Sequence, residues 1–314
     1  PAIAGSPRSF PAARHPRCRW DTVDTATPSI AHAPRPVRHV RFDYPDDLPA
    51  LWHPHKPEFA AACNALSLGM PYGEPYVIAS VRRVVDDLDD PALAEQARAY
   101  LGQERQHYRH HRRFNEILTT QMPGLARIEG WLSRTYRWLG RRGSREFNVA
   151  FAAGFEAVAY AAARWMDRRR NALFRGADPV ASTLVLWHLA EEVEHKSVAH
   201  DVWAAVDGSR LRYAAGMLTS FALLVWFIFL GTVAQLWSSR RIVNPLAWAR
   251  LIGWAFGFAM EALPTMAITV VKGHHPSGLA DPPFLAGWLQ EYDEASGTMP
   301  LWNAPISAGA ATPT

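Results

Sequence analysis

The sequence predicts an all-α protein, in which four long helices form a bundle and two additional apolar helices follow toward the C-terminus. From about residue 58 onward, apolar residues recur at helical spacing. No stretch shows the strict alternation and the Gly/Asn turns of β-hairpins. Four long helices in succession are the plan of a helix bundle. We therefore expect a Pro/Arg-rich flexible or extended arm at 1–57, a helical bundle at 58–206, an apolar helical pair at 207–275 and an irregular tail at 276–314.

The first half of the bundle is punctuated by Pro, Gly and Asp. A short apolar segment at about 58–69 is followed by MPYG, which predicts a break before a helix at about 73–88. Asp90 and Pro91 form a good N-cap and first-turn pair. They predict the start of a long helix that runs to about residue 120.

The second half follows the same rules. The stretch at 123–143 predicts one or two shorter helices, and a long helix follows at about 144–171. Asp178 and Pro179 open another long helix, to about residue 206. Apolar helices are predicted at about 210–239 and 245–271, before the Pro/Gly-rich tail.

Composition excludes several classes of protein. The 314 residues include 13 Trp, nine Tyr and 14 Phe, so most of the chain has the large apolar groups that a disordered protein lacks. Arginine and aromatic residues do not interleave as in a nucleic-acid platform, and we expect no nucleic-acid partner. Cys18 and Cys63 are too few for a disulfide framework, which favours the reducing cytoplasm.

Two of the long helices carry the same Glu-x-x-His pattern. Glu104 and His107 form one pair, and Glu192 and His195 form the other. At about 100° per residue, residues three apart lie roughly 60° from each other on one helix face. His188 precedes Glu192 by one turn and shares its face, whereas Glu191, Glu194 and Lys196 point elsewhere and are expected to be solvated.

The other two long helices each carry one acid in an apolar run, Glu74 and Glu156. A buried carboxylate without a partner costs several kcal/mol or becomes protonated. Two single-Glu helices and two Glu-x-x-His helices are the donor set of a dinuclear metal site in a four-helix bundle. Carboxylate and imidazole donors without thiolate favour two iron ions, or manganese, or a mixed Fe/Mn pair.

Each element also has a simpler interpretation. Glu74 alone is a first-turn acid stabilised by the helix dipole, and Glu156 alone is an ion-pair partner for Arg164 or another arginine. His111 alone belongs to the basic run RHHRR. Tyr100, Tyr160 and Trp203 are candidates for lining a pocket, with ordinary core packing as the alternative. The joint occurrence of the donors, in the right order on four helices, favours the metal site.

Three segments carry a resemblance to a known family: NALSLGMPYGEPYVIASVRR, LGQERQHYRHHRRFNE and LWHLAEEVEHKSVAHDVW. They resemble the bacterial predicted metal-dependent hydrolases, a ferritin-like family, over about residues 38–275. The resemblance implies a ferritin-like bundle and a hydrolase activity.

The donor spacing is also similar to that of the ferritin-like diiron arylamine N-oxygenases, which have an additional His one turn before the last Glu-x-x-His. That position is His188 here. Carried over residue by residue, the resemblance implies the iron ligands Glu74, Glu104, His107, Glu156, His188, Glu192 and His195. His111 has no counterpart, and its expected role is a hydrogen bond to a ligand or a proton relay.

Three functions fit such a site. The leading expectation is an oxidase or oxygenase that activates O₂ at two iron ions and acts on a small organic substrate, with an electron donor that the sequence does not identify. The alternative is a metal-dependent hydrolase that uses the same dinuclear site. The third is non-enzymatic iron binding, which the long arm and the extra helices disfavour because a storage shell needs a compact subunit.

The apolar segment 213–239 has no charged residue and is flanked by arginines. Its length is enough to span a bilayer, and Trp226 and Trp237 suit the interface. The next segment contains Arg250 and Glu261, which disfavours a hairpin through lipid. Burial against the bundle or in a homodimer is therefore expected alongside membrane association, in which case the substrate would be hydrophobic.

Overall fold

The computed structural model describes residues 36–45 and 47–302, and the predictions for 1–35 and for the end of the tail lie outside this part of the chain. The predicted all-α class is confirmed, since the described residues contain α-helices, three 3₁₀ turns and no strand. The α-helices are α1 (Pro57–Arg82), α2 (Pro91–Gln121), α3 (Leu125–Arg142), α4 (Arg145–Phe174), α5 (Pro179–His195), α6 (Val198–Val206), α7 (Arg210–Ser238), α8 (Pro245–Val270) and α9 (Pro283–Trp288).

The predicted break at MPYG is wrong. α1 is one continuous helix through Pro71 and Pro75, and it ends at Arg82 instead of about residue 88. A Pro inside a helix normally removes a backbone hydrogen bond and strains the preceding turn. Here Met70, Pro71 and Glu74 are all buried, so packing on several sides of the helix outweighs the local preference of these residues.

The predicted helix at 178–206 is also divided. α5 ends at His195, Lys196 and Ser197 form a turn, and α6 begins at Val198. Neither Gly nor Pro marks this interruption, so helical periodicity could not locate it. The starts of α2 and α5 agree with the predictions, since the side chains of Asp90 and Asp178 accept hydrogen bonds from the first turns.

The four helices that carry the predicted donors contact one another in a closed ring. α1 packs against α2 and α4, and α5 packs against the same two helices. Their apolar faces form one continuous core with the aromatic side chains. The ferritin-like arrangement of this ring and the division of the chain at 57, 206 and 275 stay predictions.

Segments outside the ring cover its surface. The described end of the arm has no helix or strand, but it buries Val40, Phe42 and Trp52 in the core. The described part of the tail carries α9, whose Leu285 and Trp288 are buried, where irregular structure was predicted.

α7 and α8 lie on the outside of the ring. α7 packs closely on α1 and α4, and α8 packs mainly on α4. Both helices are long and apolar enough to cross a membrane by length and composition, with mean hydropathies of 2.1 and 1.4. Most of their apolar windows remain uncovered by the rest of the chain, because only 28% and 11% of the two windows are buried.

Candidate metal centre

The structure brings the predicted donor side chains together inside the ring. They are Glu74 on α1, Glu104 and His107 on α2, Glu156 on α4, and His188, Glu192 and His195 on α5. Six of the seven are at most 1% exposed, and His188 is 7% exposed. The expected face-sharing at i, i+3 and i, i+4 is what directs the three donors of α5 to one interior point.

The donors form two overlapping groups that share one histidine. In the first, Glu104, His107, Glu192 and His195 each offer an atom within 4.8 Å of the others. In the second, the same holds for Glu74, His107 and His188. The two groups therefore mark one continuous volume around His107, whose neutral ring has one lone pair and can bind only one of two ions there.

Nitrogen and oxygen atoms approach one another closely in the first group. His195 Nδ1 lies 2.8 Å from Glu104 Oε1 and 3.6 Å from Glu192 Oε2. His107 Nδ1 lies 3.3 Å from Glu192 Oε1. Yet His107 Nδ1, both nitrogens of His195 and all four oxygens of Glu104 and Glu192 make no hydrogen bond.

Both oxygens of Glu74 are likewise buried without a hydrogen bond. Buried polar atoms are almost always paired, because leaving them unpaired costs about 1–3 kcal/mol each. Donor atoms that converge without bonding each other are the arrangement that a metal ion requires. The residues present therefore fit two ions held by carboxylate and imidazole groups, and none of these donors is a thiolate.

Glu156 belongs to neither group, but it borders the first. Its Oε2 is unpaired and lies 3.8 Å from His195 Nδ1, whereas its Oε1 accepts a 2.6 Å hydrogen bond from the Tyr100 hydroxyl. Among the described residues neither oxygen of Glu156 pairs with Arg164 or another arginine, so the ion-pair interpretation of Glu156 is wrong. The dipole interpretation of Glu74 is wrong as well, because Glu74 lies deep inside α1 and not in its first turn.

The buried carboxylates differ in the direction of their pKa shifts, because their neighbours differ in charge. Burial, followed by repulsion from neighbouring carboxylates, raises the pKa of Glu74 and Glu156 well above the usual range. Burial acts in the same direction on Glu192, but His195 and the other two histidines outweigh it and hold the pKa well below the usual range. Repulsion between confined carboxylates accounts for the two raised pKa values, and attraction to the neighbouring histidines accounts for the lowered one.

Glu191 is the main residue that the sequence analysis misplaced. It was expected to be solvated, but it is fully buried and accepts a 2.9 Å hydrogen bond from His107 Nε2. Its other oxygen pairs with Arg38, which also binds Glu194. Burial lowers the pKa of His107, but Glu191 and Glu192 outweigh burial and raise it to about 9.

A carboxylate on the outer nitrogen of a ligating histidine orients the ring and leaves its other nitrogen for the ion. That rule was the one signal that could have identified Glu191 from the sequence. The expectation of solvation was also wrong for Lys196, which is 9% exposed and bonds to the carbonyl of Leu279 and to Asp281. Glu194 is held by Arg38 and Gln103.

A chain of hydrogen bonds from Asn115 to His188 determines which ring nitrogen of His188 carries the proton. Asn115 Nδ2 donates to the carbonyl of Ser67, so Asn115 Oδ1 accepts from Ser67 Oγ at 2.7 Å. Ser67 Oγ must then accept from His111 Nδ1, 2.8 Å away. Burial lowers the pKa of His111 well below its usual value, so His111 is neutral and its Nε2 accepts the proton of His188 Nδ1 at 2.7 Å.

This chain leaves the lone pair of His188 on Nε2, which lies 3.0 Å from Glu192 Oε1. His111 thus contacts a predicted ligand, as expected for a group that orients it. Two of the predicted pocket residues, Tyr160 and Trp203, make their contacts away from the seven donors. The hydroxyl of Tyr160 donates to the carbonyl of Ala280, and Trp203 packs against His200 and Tyr213.

Comparison with known proteins agrees with the donor chemistry. The model of a family described as predicted metal-dependent hydrolase matches residues 36–279. This range includes all seven donors, together with Arg38 and Glu191. No curated protein and no solved structure matches the chain.

Proposed function

Because the chain belongs to the family of predicted metal-dependent hydrolases, we propose that it is a hydrolase with two metal ions between α1, α2, α4 and α5. The unpaired, converging donor atoms of Glu104, Glu192 and His195 carry this proposal. Two divalent ions held there would polarise an ester or phosphoester and make water a better nucleophile at neutral pH. The remaining donors proposed are Glu74, His107, Glu156 and His188.

The surrounding residues position these donors. Glu191 holds the proton on His107 Nε2, and His111 holds the proton of His188 on its Nδ1. Each contact leaves the inner nitrogen of a ligating ring free. Tyr100 occupies one oxygen of Glu156 and leaves the other toward His195.

A second candidate function is O₂ activation for the oxidation or oxygenation of a small organic substrate. The observation that favours it is the donor set, in which four carboxylates and three imidazoles are enclosed in a closed apolar core. Such donors suit iron or manganese, and O₂ is small enough to enter a site without a wide channel. Non-enzymatic iron binding is the remaining alternative.

Glu192→Ala tests the metal centre. We expect two metal ions per chain in the wild-type protein and at most one in the variant, measured by elemental analysis after removal of free metal. Glu95→Ala is the control, because Glu95 is an exposed glutamate on α2. Two ions retained in Glu192→Ala, with a helical spectrum like the wild type, would refute the ligand assignment.

Two activity assays then separate the candidates. Manganese- or zinc-loaded protein is given chromogenic acetate and phosphate esters, and ferrous protein is mixed with O₂ in an oxygen electrode. Ester turnover that is lost in Glu192→Ala supports the hydrolase. O₂ consumption without ester turnover supports the oxidase or oxygenase, and inertness in both assays leaves non-enzymatic metal binding.

We also propose that the outer face of α7 and α8 rests on a lipid surface. Large apolar side chains remain exposed along both helices, among them Trp226, Trp237 and Phe256 at 54%, 72% and 67%. The exposed Arg240 and Arg241 follow α7 and suit anionic headgroups. A hydrophobic substrate would then reach the protein from the same surface.

Sedimentation with vesicles of anionic phospholipid tests this surface. We expect binding by the wild-type protein and at least a tenfold loss in the double variant Trp237→Ser/Phe256→Ser. A stable dimer by light scattering, with no vesicle binding, would assign the same face to a second copy of the chain instead.

A further inference from the structure

A second cluster of metal-binding side chains lies outside the centre described above. His200 and Asp201 are on α6, and His275 is in the loop that follows α8. The three residues each offer a donor atom within 4.8 Å of the others. None of them belongs to the seven donors, and none contacts those donors by a hydrogen bond or an ion pair.

The contacts of Asp201 define the geometry. His275 Nε2 lies 2.6 Å from Asp201 Oδ1, and His200 Nδ1 lies 3.7 Å from the same oxygen. The rings of His200 and His275 are 5.1 Å apart, centroid to centroid, and nearly perpendicular. Two donors that are each about 2.1 Å from one tetrahedral ion lie about 3.4 Å apart. The 3.7 Å between Asp201 Oδ1 and His200 Nδ1 is close to this value. His275 Nε2 is 2.6 Å from Asp201 Oδ1 and must move away from it by somewhat less than 1 Å when an ion binds.

A simple ion pair between Asp201 and His275 would leave His200 unexplained. His200 is 3% exposed, and both of its ring nitrogens are buried without a hydrogen bond. A buried imidazole needs a partner for its N–H and another for its lone pair. The nearby Nε2 of His274 is also buried and unpaired.

The far side of His275 is held by Ser277. Its Nδ1 lies 2.6 Å from Ser277 Oγ and accepts a 3.2 Å hydrogen bond from the backbone N–H of Ser277, so without an ion the ring proton is on Nε2, toward Asp201. An ion at Nε2 requires the other tautomer, in which Nδ1 carries the proton and donates it to Ser277 Oγ. The side chains of Asp201 and His275 are 27% and 42% exposed, so an ion could enter from solvent and keep water in its remaining positions.

We propose that His200, Asp201 and His275 form a second, mononuclear site for a divalent transition metal such as Zn²⁺. Two imidazoles and one carboxylate with open positions suit zinc and its neighbours in the first transition row. The ion would connect His200 and Asp201 on α6 to the loop after α8. His200 lies five residues after His195 in the chain. Its expected role is to hold the end of α8 and the following segment against the helix ring.

Zinc stoichiometry tests the proposal. Wild-type protein and the variants His275→Ala and His55→Ala are equilibrated with Zn²⁺, freed of excess metal and analysed for zinc per chain. We expect His275→Ala to bind one ion fewer than the wild type. His55→Ala is the control, because His55 is an exposed histidine outside both clusters, and we expect no loss.

The difference of one ion is independent of the main centre. If that centre fails to bind metal, the wild type binds one ion and His275→Ala binds none. A second measurement is proteolysis of the loop at 271–282, which Zn²⁺ should slow at least fivefold in the wild type and leave unchanged in Asp201→Asn. Equal zinc in wild type and His275→Ala, or an equal loss in His55→Ala, would overturn the proposal.

Discussion

The contact between Glu191 and His107 leads to the sharpest prediction about the metal centre. In Glu191→Gln, the side chain keeps its shape and a carbonyl oxygen that can accept from His107 Nε2, but it loses its negative charge. Both residues are fully buried and 2.9 Å apart. The carboxylate therefore acts on the ring without screening by solvent, which strengthens its influence on the donor nitrogen.

Loss of such an outer carboxylate typically weakens metal binding about 10–100-fold, which corresponds to about 1.4–2.7 kcal/mol. We expect this change in the affinity for Mn²⁺, measured by competition with a chelator of known strength. Folding should survive, because Arg38 keeps two hydrogen bonds to Glu194 when Glu191 is neutral.

Glu194→Gln is the matched control. It changes a glutamate three residues away that binds the same Arg38, but it leaves the contact between Glu191 and His107 intact. We expect Mn²⁺ affinity within about twofold of the wild type. An unchanged affinity in Glu191→Gln, or an equal loss in both variants, would show that the charge on Glu191 does not act through His107.

Two further predictions concern the fold around the site. A Cβ on Gly216 would lie 2.6 Å from the backbone nitrogen of Phe151, so Gly216→Ala should lower the free energy of unfolding by about 1–3 kcal/mol. In contrast, Gly253→Ala on the open face of α8 should raise the free energy of unfolding by about 0.5–1 kcal/mol. Urea unfolding measures both variants, and equal effects would contradict the close crossing of α4 and α7. Burial, together with Lys56, lowers the pKa of His53 to about 4, so the folded protein binds fewer protons than the unfolded chain and loses stability as the pH falls below about 6.5. Between pH 7 and pH 5 this loss should be about 1–2 kcal/mol and should be absent in His53→Gln, which keeps a donor for the carbonyl of Leu173; parallel pH profiles of the two proteins would contradict it.

The sequence predicted the all-α class and the helices that carry the donors, because two physical signals coincide there. Helical spacing places Glu104 with His107 and Glu192 with His195 on shared faces. Glu156 stands in an apolar run where an unpaired charge would be costly. Both signals are local in the chain, so a single sequence contains them.

The features that were missed depend on contacts between distant segments. MPYG has the composition of a breaker, but burial of Pro71 and Glu74 keeps α1 helical. Glu191 looks like a surface residue beside Glu192 until Arg38, 153 positions away, is placed against it. His111 bonds to Ser67 on α1, and Ser67 bonds to Asn115 on α2, but neither residue has a sequence pattern that indicates this role.

Charge balance explains why Arg38 forms an ion pair with Glu191 and with none of the four carboxylate donors. The donors comprise four carboxylates and three histidines, and with neutral imidazoles their charge of −4 equals that of two divalent ions with opposite sign. A fifth buried carboxylate exceeds that balance, and the guanidinium of Arg38 compensates it from outside the core. Because a buried charge without compensation is costly, this interpretation requires that Glu74 and Glu156, whose pKa values are raised by burial and repulsion, destabilise the ion-free protein. Metal binding then contributes directly to the free energy of folding, and the Glu192→Ala variant should lose the stabilisation by metal together with the metal.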